Sequence, residues 1–233
     1  MSNQLKPWYK KWWGALLIFF SFLVLSFVIA MGFYINRLTK EIKNNDFNYY
    51  ELMQTTASAE ELKLIEGTDK NYWIGAAKPK ITIVEFADFA CPHCAKSFSK
   101  IREISVKYKN SVKIIFRDFP INAEYSAKLA LAARCAGEQG LFWPAHDKLF
   151  LNQGIATDEE IKNSIKQIGL DNQRFEDCYS KQKYLAEIQA DLLAGDQLGI
   201  TGTPTWFING HKIAGDIPYE LFIKIIEELI KLR

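Results

Sequence analysis

The stretch EFADFACPHCAKSF, residues 85–98, sets two cysteines around a Pro-His pair at the end of an apolar run. KITIVEF, residues 80–86, is rich in β-branched and aromatic side chains and is bounded by Pro79, which reads as a buried strand. After the motif, PHCAKSFSKIREISVKYK places Phe98, Ile101, Ile104 and Tyr108 at helical spacing, with Pro92 where a first-turn proline is tolerated. SVKIIFRDFP, residues 111–120, is a second strand ended by Pro120. Strand, helix and strand make a βαβ unit with the cysteine pair at the entrance of the first crossover.

Beyond this unit the pattern changes. AEYSAKLALAARCAGEQG, LFWPAHDKLFLNQ, DEEIKNSIKQIGL and DNQRFEDCYSKQKYLAEIQADLLAGDQLG read as helices, with Gly140, Gly154 and Gly169 as stops. GTPTWFINGHKIAG then holds two short strands around Asn209-Gly210, a strong hairpin signal, and PYELFIKIIEELIKLR is an amphipathic helix. The expected architecture is an α/β domain over 71–233, with a helical insertion at about 121–198 between its βαβ and ββα halves.

Toward the N-terminus, an uncharged apolar run extends from Gly14 to Ile35. As a helix it spans about 33 Å, enough to cross the hydrocarbon core of a bilayer. Trp8, Trp12 and Trp13 on one side and Tyr34 on the other suit the membrane interfaces. A cleavable signal peptide is the competing reading, with Val28-Ile29-Ala30 as its cleavage region, but the apolar stretch is too long for one. Lys6, Lys10 and Lys11 before the run balance Arg37, Lys40 and Lys43 after it, so charge alone does not orient the helix. A short flank of residues 1–13 before a long polar region suits a cytoplasmic N-terminus and an exported C-terminal domain. Residues 36–70, rich in Lys, Glu, Asn and Thr, read as a partly helical spacer.

The 233 residues are 48% hydrophobic with a formal charge of +2, which supplies a core and excludes a basic nucleic-acid-binding face. Four cysteines are present, none among the first 90 residues. A zinc site would need a second ligand pair, but Cys135 and Cys178 stand alone and His146 and His211 are not in ligand spacings, so no metal is expected. A purely structural Cys91–Cys94 bridge closes too small a loop to constrain the unfolded chain. A redox role has a physical basis. A cysteine at a helix N-terminus meets unpaired amide N–H groups and the positive end of the macrodipole, which favour the thiolate. Cys91 is the expected nucleophile and Cys94, one turn on, the resolving thiol. His93 either adds donors or positive charge near the sulfur or faces solvent without a role.

IVEFADFACPHC, GTPTWFING and the helical block between them resemble the DsbA-like thiol-disulfide oxidoreductases of the thioredoxin superfamily, over about residues 70–233. RCAGEQGLFWPAHDKLF and GLDNQRFEDC in the insertion share the resemblance. It implies a thioredoxin fold, no cofactor, and a cis-proline loop at Thr203-Pro204 that pairs with an incoming extended peptide. It also makes Glu85 the family's buried acid, exchanging protons with Cys94; the alternative is a strand-end carboxylate reaching solvent. In an oxidising compartment Cys135 and Cys178 are expected to bond to each other, as related proteins do. A loop of about 43 residues would stabilise by roughly 4 kcal/mol on the chain-entropy argument.

A stabilised Cys91 thiolate stabilises the reduced protein and makes its disulfide an oxidant. The expected activity is therefore oxidation of reduced or misoxidised exported proteins, with a membrane redox partner restoring the disulfide. Thr203 stands where the family's best-known oxidases have valine, which leaves an isomerase or a reductase open. A membrane-tethered peptide-binding chaperone, with Phe89, Trp143 and Trp206 lining a groove, is the reading from another class.

Overall fold

In the computed structural model, residues 12–44 and 57–232 are described, as two separate units. In the first, helix α1 (Trp12–Asn44) carries the apolar run, with the window Phe19–Arg37 long and apolar enough to cross a membrane. Phe19, Phe22, Leu25, Phe27 and Phe33 are all exposed, the pattern of a helix whose solvent is lipid. Ser21 and Ser26 return their hydroxyl protons to the carbonyls of Leu17 and Leu23, so neither leaves an unsatisfied donor in an apolar surrounding. The expected span ended at Ile35, but the helix continues to Asn44, taking up the first part of the expected spacer. The middle of that spacer lies outside the described residues.

The last part of the spacer belongs to the second unit. Helix α2 (Ala59–Glu66) is N-capped by the Ser58 hydroxyl, which accepts from Glu61 N. Its Ile65 is buried with Val84, Phe86, Ile115 and Phe119. The compact domain thus begins before the expected boundary at 71.

The sheet has five strands: β1 (Trp73–Gly75), β2 (Ile81–Ala87), β3 (Val112–Asp118), β4 (Thr205–Ile208) and β5 (His211–Ala214), in the order β1-β3-β2-β4-β5. Only β2 and β3 run parallel, joined through helix α3 (Pro92–Lys107) as the expected βαβ unit. The other pairings are antiparallel. β1, too short to show alternation in sequence, adds to the β3 edge; at Gly75 (φ +103°) a Cβ would lie 2.2 Å from Val112 O, so only glycine fits. Asn209 and Gly210 take the two positive φ angles of the β4–β5 turn.

Helices α4 (Ser126–Gly137), α5 (Phe142–Leu151), α6 (Asp158–Lys166), α7 (Asn172–Ser180) and α8 (Leu185–Gln197) form the insertion, and α9 (Tyr219–Lys231) closes the chain. The single helix expected over 171–199 is two, broken around Gln182 at φ 48°. The intervening SKQK offers no apolar side chain with which to continue a buried stripe.

Because side chains alternate across a strand, β2 feeds two cores. Val84 and Phe86 pack with Ile65, Phe119 and Phe207 on one face. Ala87 packs with Cys94, Phe116 and the insertion helices on the other, and Glu85 shares that face by period two. A buried ion network crosses the domain: Asp191 of α8 accepts from Arg117 Nε at 2.7 Å and Arg134 Nη2 at 2.6 Å, and Arg134 also pairs with Asp118. Arg117 Nη1 donates to Leu64 O and Ile65 O at 2.8 Å, tying α2 to the sheet. Two arginines facing two aspartates offset the desolvation that an isolated buried charge would suffer.

Candidate active site

β2 ends at Ala87, and Asp88 turns the chain: its Oδ1 accepts from Ala90 N at 2.8 Å and its carbonyl from Cys91 N at 3.0 Å. That turn sets Cys91 as the N-cap of α3, with extended backbone (φ −80°, ψ 121°), and Pro92 at the first helical position. Pro92 costs no hydrogen bond there, because the first amides of a helix have no intrahelical acceptor. Cys91 and Cys94 are free thiols, 1% and 0% exposed. Burial covers both thiols, so the Cys91 sulfur is covered rather than open.

The groups around Cys91 favour its anion. The Cys94 thiol hydrogen-bonds to it, the Thr203 hydroxyl does the same, and the backbone N–H groups of Cys94 and His93 point to it from the first turn of α3. Against the opposing effect of burial, these donors bring the Cys91 pKa down to about 5. Cys94 moves the other way. Burial first, then its bond to Cys91 and the nearby Glu85, push its pKa well above the ordinary thiol value. One thiol is thereby set to be charged and its neighbour to hold a proton.

His93 is solvent-exposed and contributes its backbone N–H to this arrangement. Glu85 is 1% exposed and its Oε1 has no hydrogen-bond partner, which removes the solvent-reaching alternative. Burial, followed by the charge on Cys91, raises its pKa to about 8. The Thr203-Pro204 peptide bond is cis, and Thr203 O lies 3.3 Å from Cys91 Sγ. Cys135 of α4 and Cys178 of α7 are joined by a disulfide, away from the redox pair in sequence and on other elements.

The aromatic groove offered for a chaperone does not form. Trp206 is fully buried, with Nε1 donating to Gly215 O at 2.8 Å, and Phe89 stacks on Phe116 at 5.1 Å between ring centroids. Trp143 donates to Trp73 O at 3.1 Å. These rings are core or fixed at its margin.

Two residues at the site were not singled out from sequence. Asp88 is 1% exposed, and its Oδ2 accepts from Ile121 N at 2.8 Å, Asn122 N at 2.7 Å and Asn122 Nδ2 at 2.9 Å. Asn122 Nδ2 also donates to Thr203 Oγ1 at 2.8 Å. An aspartate two residues before a turn amide is a readable Asx-turn signal, but its bond to a loop 34 residues on is tertiary.

A dithiol at the N-terminus of the helix after the first βαβ strand, facing a Thr-Pro loop, defines a thioredoxin-type site on a fold of the thiol-disulfide oxidoreductase type. The thioredoxin family pattern matches residues 67–228, and the chain belongs to that family. Among solved structures it is similar to the thiol-disulfide exchange protein alpha-DsbA2 from Wolbachia pipientis (TM-score 0.69, 24% identity, 79% of this chain and 99% of that one). It is also similar to a periplasmic thioredoxin-like protein from Salmonella enterica serovar Typhimurium (TM-score 0.63, 25% identity, 75% and 98%). Among curated proteins it is 33% identical over 155 residues to Na(+)/H(+) antiporter NhaA 3 of Salinispora tropica, covering 66% of this chain and 23% of that protein. The chain spans about a quarter of the length of the curated relatives it matches, so their name describes proteins of which it resembles one portion.

Proposed function

We propose that this protein is an extracytoplasmic thiol-disulfide oxidoreductase that donates the Cys91–Cys94 disulfide to reduced exported proteins. The observation that carries this reading is the placement of Cys91 as the N-cap of α3, with Cys94 one turn on and the carbonyl of the cis Thr203-Pro204 loop 3.3 Å from its sulfur. A substrate thiolate attacks Cys91 Sγ of the oxidised protein, breaking the Cys91–Cys94 bond and expelling the Cys94 sulfur, which takes a proton. Glu85, on the same face of β2 and protonated at neutral pH, supplies it. The substrate's second thiolate then attacks its own sulfur in the mixed disulfide and releases Cys91 as a thiolate. The substrate loses two electrons and two protons; the cysteine pair gains both electrons and, at Cys94, the proton from Glu85, one substrate proton restores Glu85, and the other goes to solvent. A membrane redox partner that accepts two electrons restores the disulfide.

In this reading Thr203 and Pro204 form the loop against which the substrate backbone lies, and Cys135–Cys178 is structural. The helix α1 anchors the domain with the N-terminus in the cytoplasm and the catalytic domain in the periplasm or extracellular space. Similarity to a periplasmic thioredoxin-like protein supports that side. The test is trapping with the full chain in detergent. Cys94→Ser accumulates a mixed disulfide with reduced test proteins, visible on a non-reducing gel, and Cys91→Ser accumulates none. Adducts formed through Cys94 in the Cys91→Ser variant would reverse the assigned order of the thiols.

A further inference from the structure

A peptide that bonds to Cys91 while its backbone lies on the Thr203-Pro204 loop is held at two points, so the spacing of loop and sulfur must suit both at once. Thr203 O stands 3.3 Å from Cys91 Sγ, but that gap is the one a substrate enters, and the spacing has to be fixed by other bonds. The turn after β5 supplies them. Gly215 N donates to Pro204 O at 2.8 Å and Gly215 O accepts from Trp206 Nε1 at 2.8 Å, which ties the turn to the proline and to the strand that follows it. The next residue, Asp216, reaches α3. Its Oδ1 accepts from Ser97 Oγ at 2.7 Å and from Lys100 Nζ, and its Oδ2 faces Lys96 Nζ at 3.5 Å. Lys100 Nζ also donates to Ile217 O at 3.1 Å. Ser97 is buried, and its Oγ lies 3.0 Å from the carbonyl of His93, between the two cysteines. The Asp216 and Lys100 side chains are only 15% and 19% exposed, so water and salt weaken this pair less than a surface one.

We propose that Asp216 is a positioning residue that latches the Thr203-Pro204 loop to α3 and thereby sets how tightly a peptide substrate is held. This deepens the reading above and rests on that loop receiving the substrate. The latch runs from Pro204 O through Gly215 N and the Asp216 carboxylate to Ser97 Oγ, so it joins the substrate loop to the helix that presents Cys91. Its effect falls on peptides, which engage sulfur and loop together. A small dithiol, which engages the sulfur alone, is indifferent to it.

The experiment follows single-turnover reduction of the Cys91–Cys94 disulfide in the oxidised full chain in detergent, by alkylating the thiols released. The reductant is a peptide carrying two reduced cysteines or, separately, dithiothreitol, each over a range of concentrations. Asp216→Ala raises the half-saturating peptide concentration by about tenfold, the equivalent of one hydrogen bond to a charged group. Its maximal rate with peptide and its rate with dithiothreitol stay in place, which marks a loss of binding and not of chemistry. Ser97→Ala shows part of the rise and adds nothing in the Asp216→Ala background, as coupled residues require. Asp216→Asn, which keeps an acceptor oxygen for Ser97, stays near the wild type. The proposal is overturned by an unshifted half-saturating concentration in Asp216→Ala, or by equal slowing with peptide and dithiothreitol, as a merely structural loss would give. Additive effects of the Asp216 and Ser97 variants overturn it as well. A wild-type chain whose rate with peptide never saturates would instead overturn the assignment of the Thr203-Pro204 loop as the place where substrate lies.

Discussion

Burying Glu85 beside two sulfurs carries a pH-dependent penalty. Its pKa is about 8 in the folded protein against 4.5 for a free side chain, so the native state binds the extra proton between those values. Stability is undiminished below the lower one, falls as pH rises through the interval and levels off above about 8. Cys91 has the opposite sign: with its pKa lowered from 9.0 to about 5, its contribution is full above pH 9 and is lost as pH falls through 5. Glu85→Gln should therefore stabilise the reduced protein by roughly 3 kcal/mol more at pH 7 than at pH 4, read from urea denaturation, while slowing disulfide transfer. Equal gains at both pH values would mean that Glu85 is not held neutral by its surroundings. The acid was legible as the one carboxylate in KITIVEF, and its burial follows from period-two alternation. The bonds from Asp88 to Ile121 and Asn122 were not legible, because a link between loops far apart in sequence leaves no local pattern.

At the scale of elements, the entrance of α3 was readable because proline at a first helical turn and a cysteine before it are local signals. The Asn-Gly hairpin was readable for the same reason. β1 was missed because three residues, Trp73–Gly75, are too few to show alternation and form a strand only by pairing with β3. The break between α7 and α8 was missed because the charged residues around Gln182 permit a helix as well as a turn, and packing decides. That break lets α7 present Cys178 to Cys135 on α4, a bridge that spans 43 positions. Replacing both with alanine should lower unfolding free energy by up to about 4 kcal/mol, measured in denaturant, and leave the rate of disulfide transfer unchanged. Loss of transfer alongside stability would make this pair part of the redox path.

For the whole molecule, the proposed function asks the fold to make one covalent bond, between Cys91 and Cys94, less stable than its reduced form. The sheet and the helices packed on it supply the apolar surroundings that keep Cys94 and Glu85 protonated, and the start of α3 supplies the donors that keep Cys91 charged. At pH 7, a thiol with pKa near 5 gains roughly 3 kcal/mol over an ordinary one, which moves the potential by about 60 mV in the oxidising direction. The α/β core and the insertion were visible in the order of apolar patterns. The sulfur's full burial was not, since it depends on the Thr203 loop arriving from far along the chain. The most direct measurement equilibrates the detergent-solubilised full chain with glutathione buffers at pH 7 and follows the fraction of Cys91–Cys94 disulfide. The account predicts a midpoint more positive than about −180 mV, and a midpoint near about −270 mV, where a reducing dithiol sits, would contradict it.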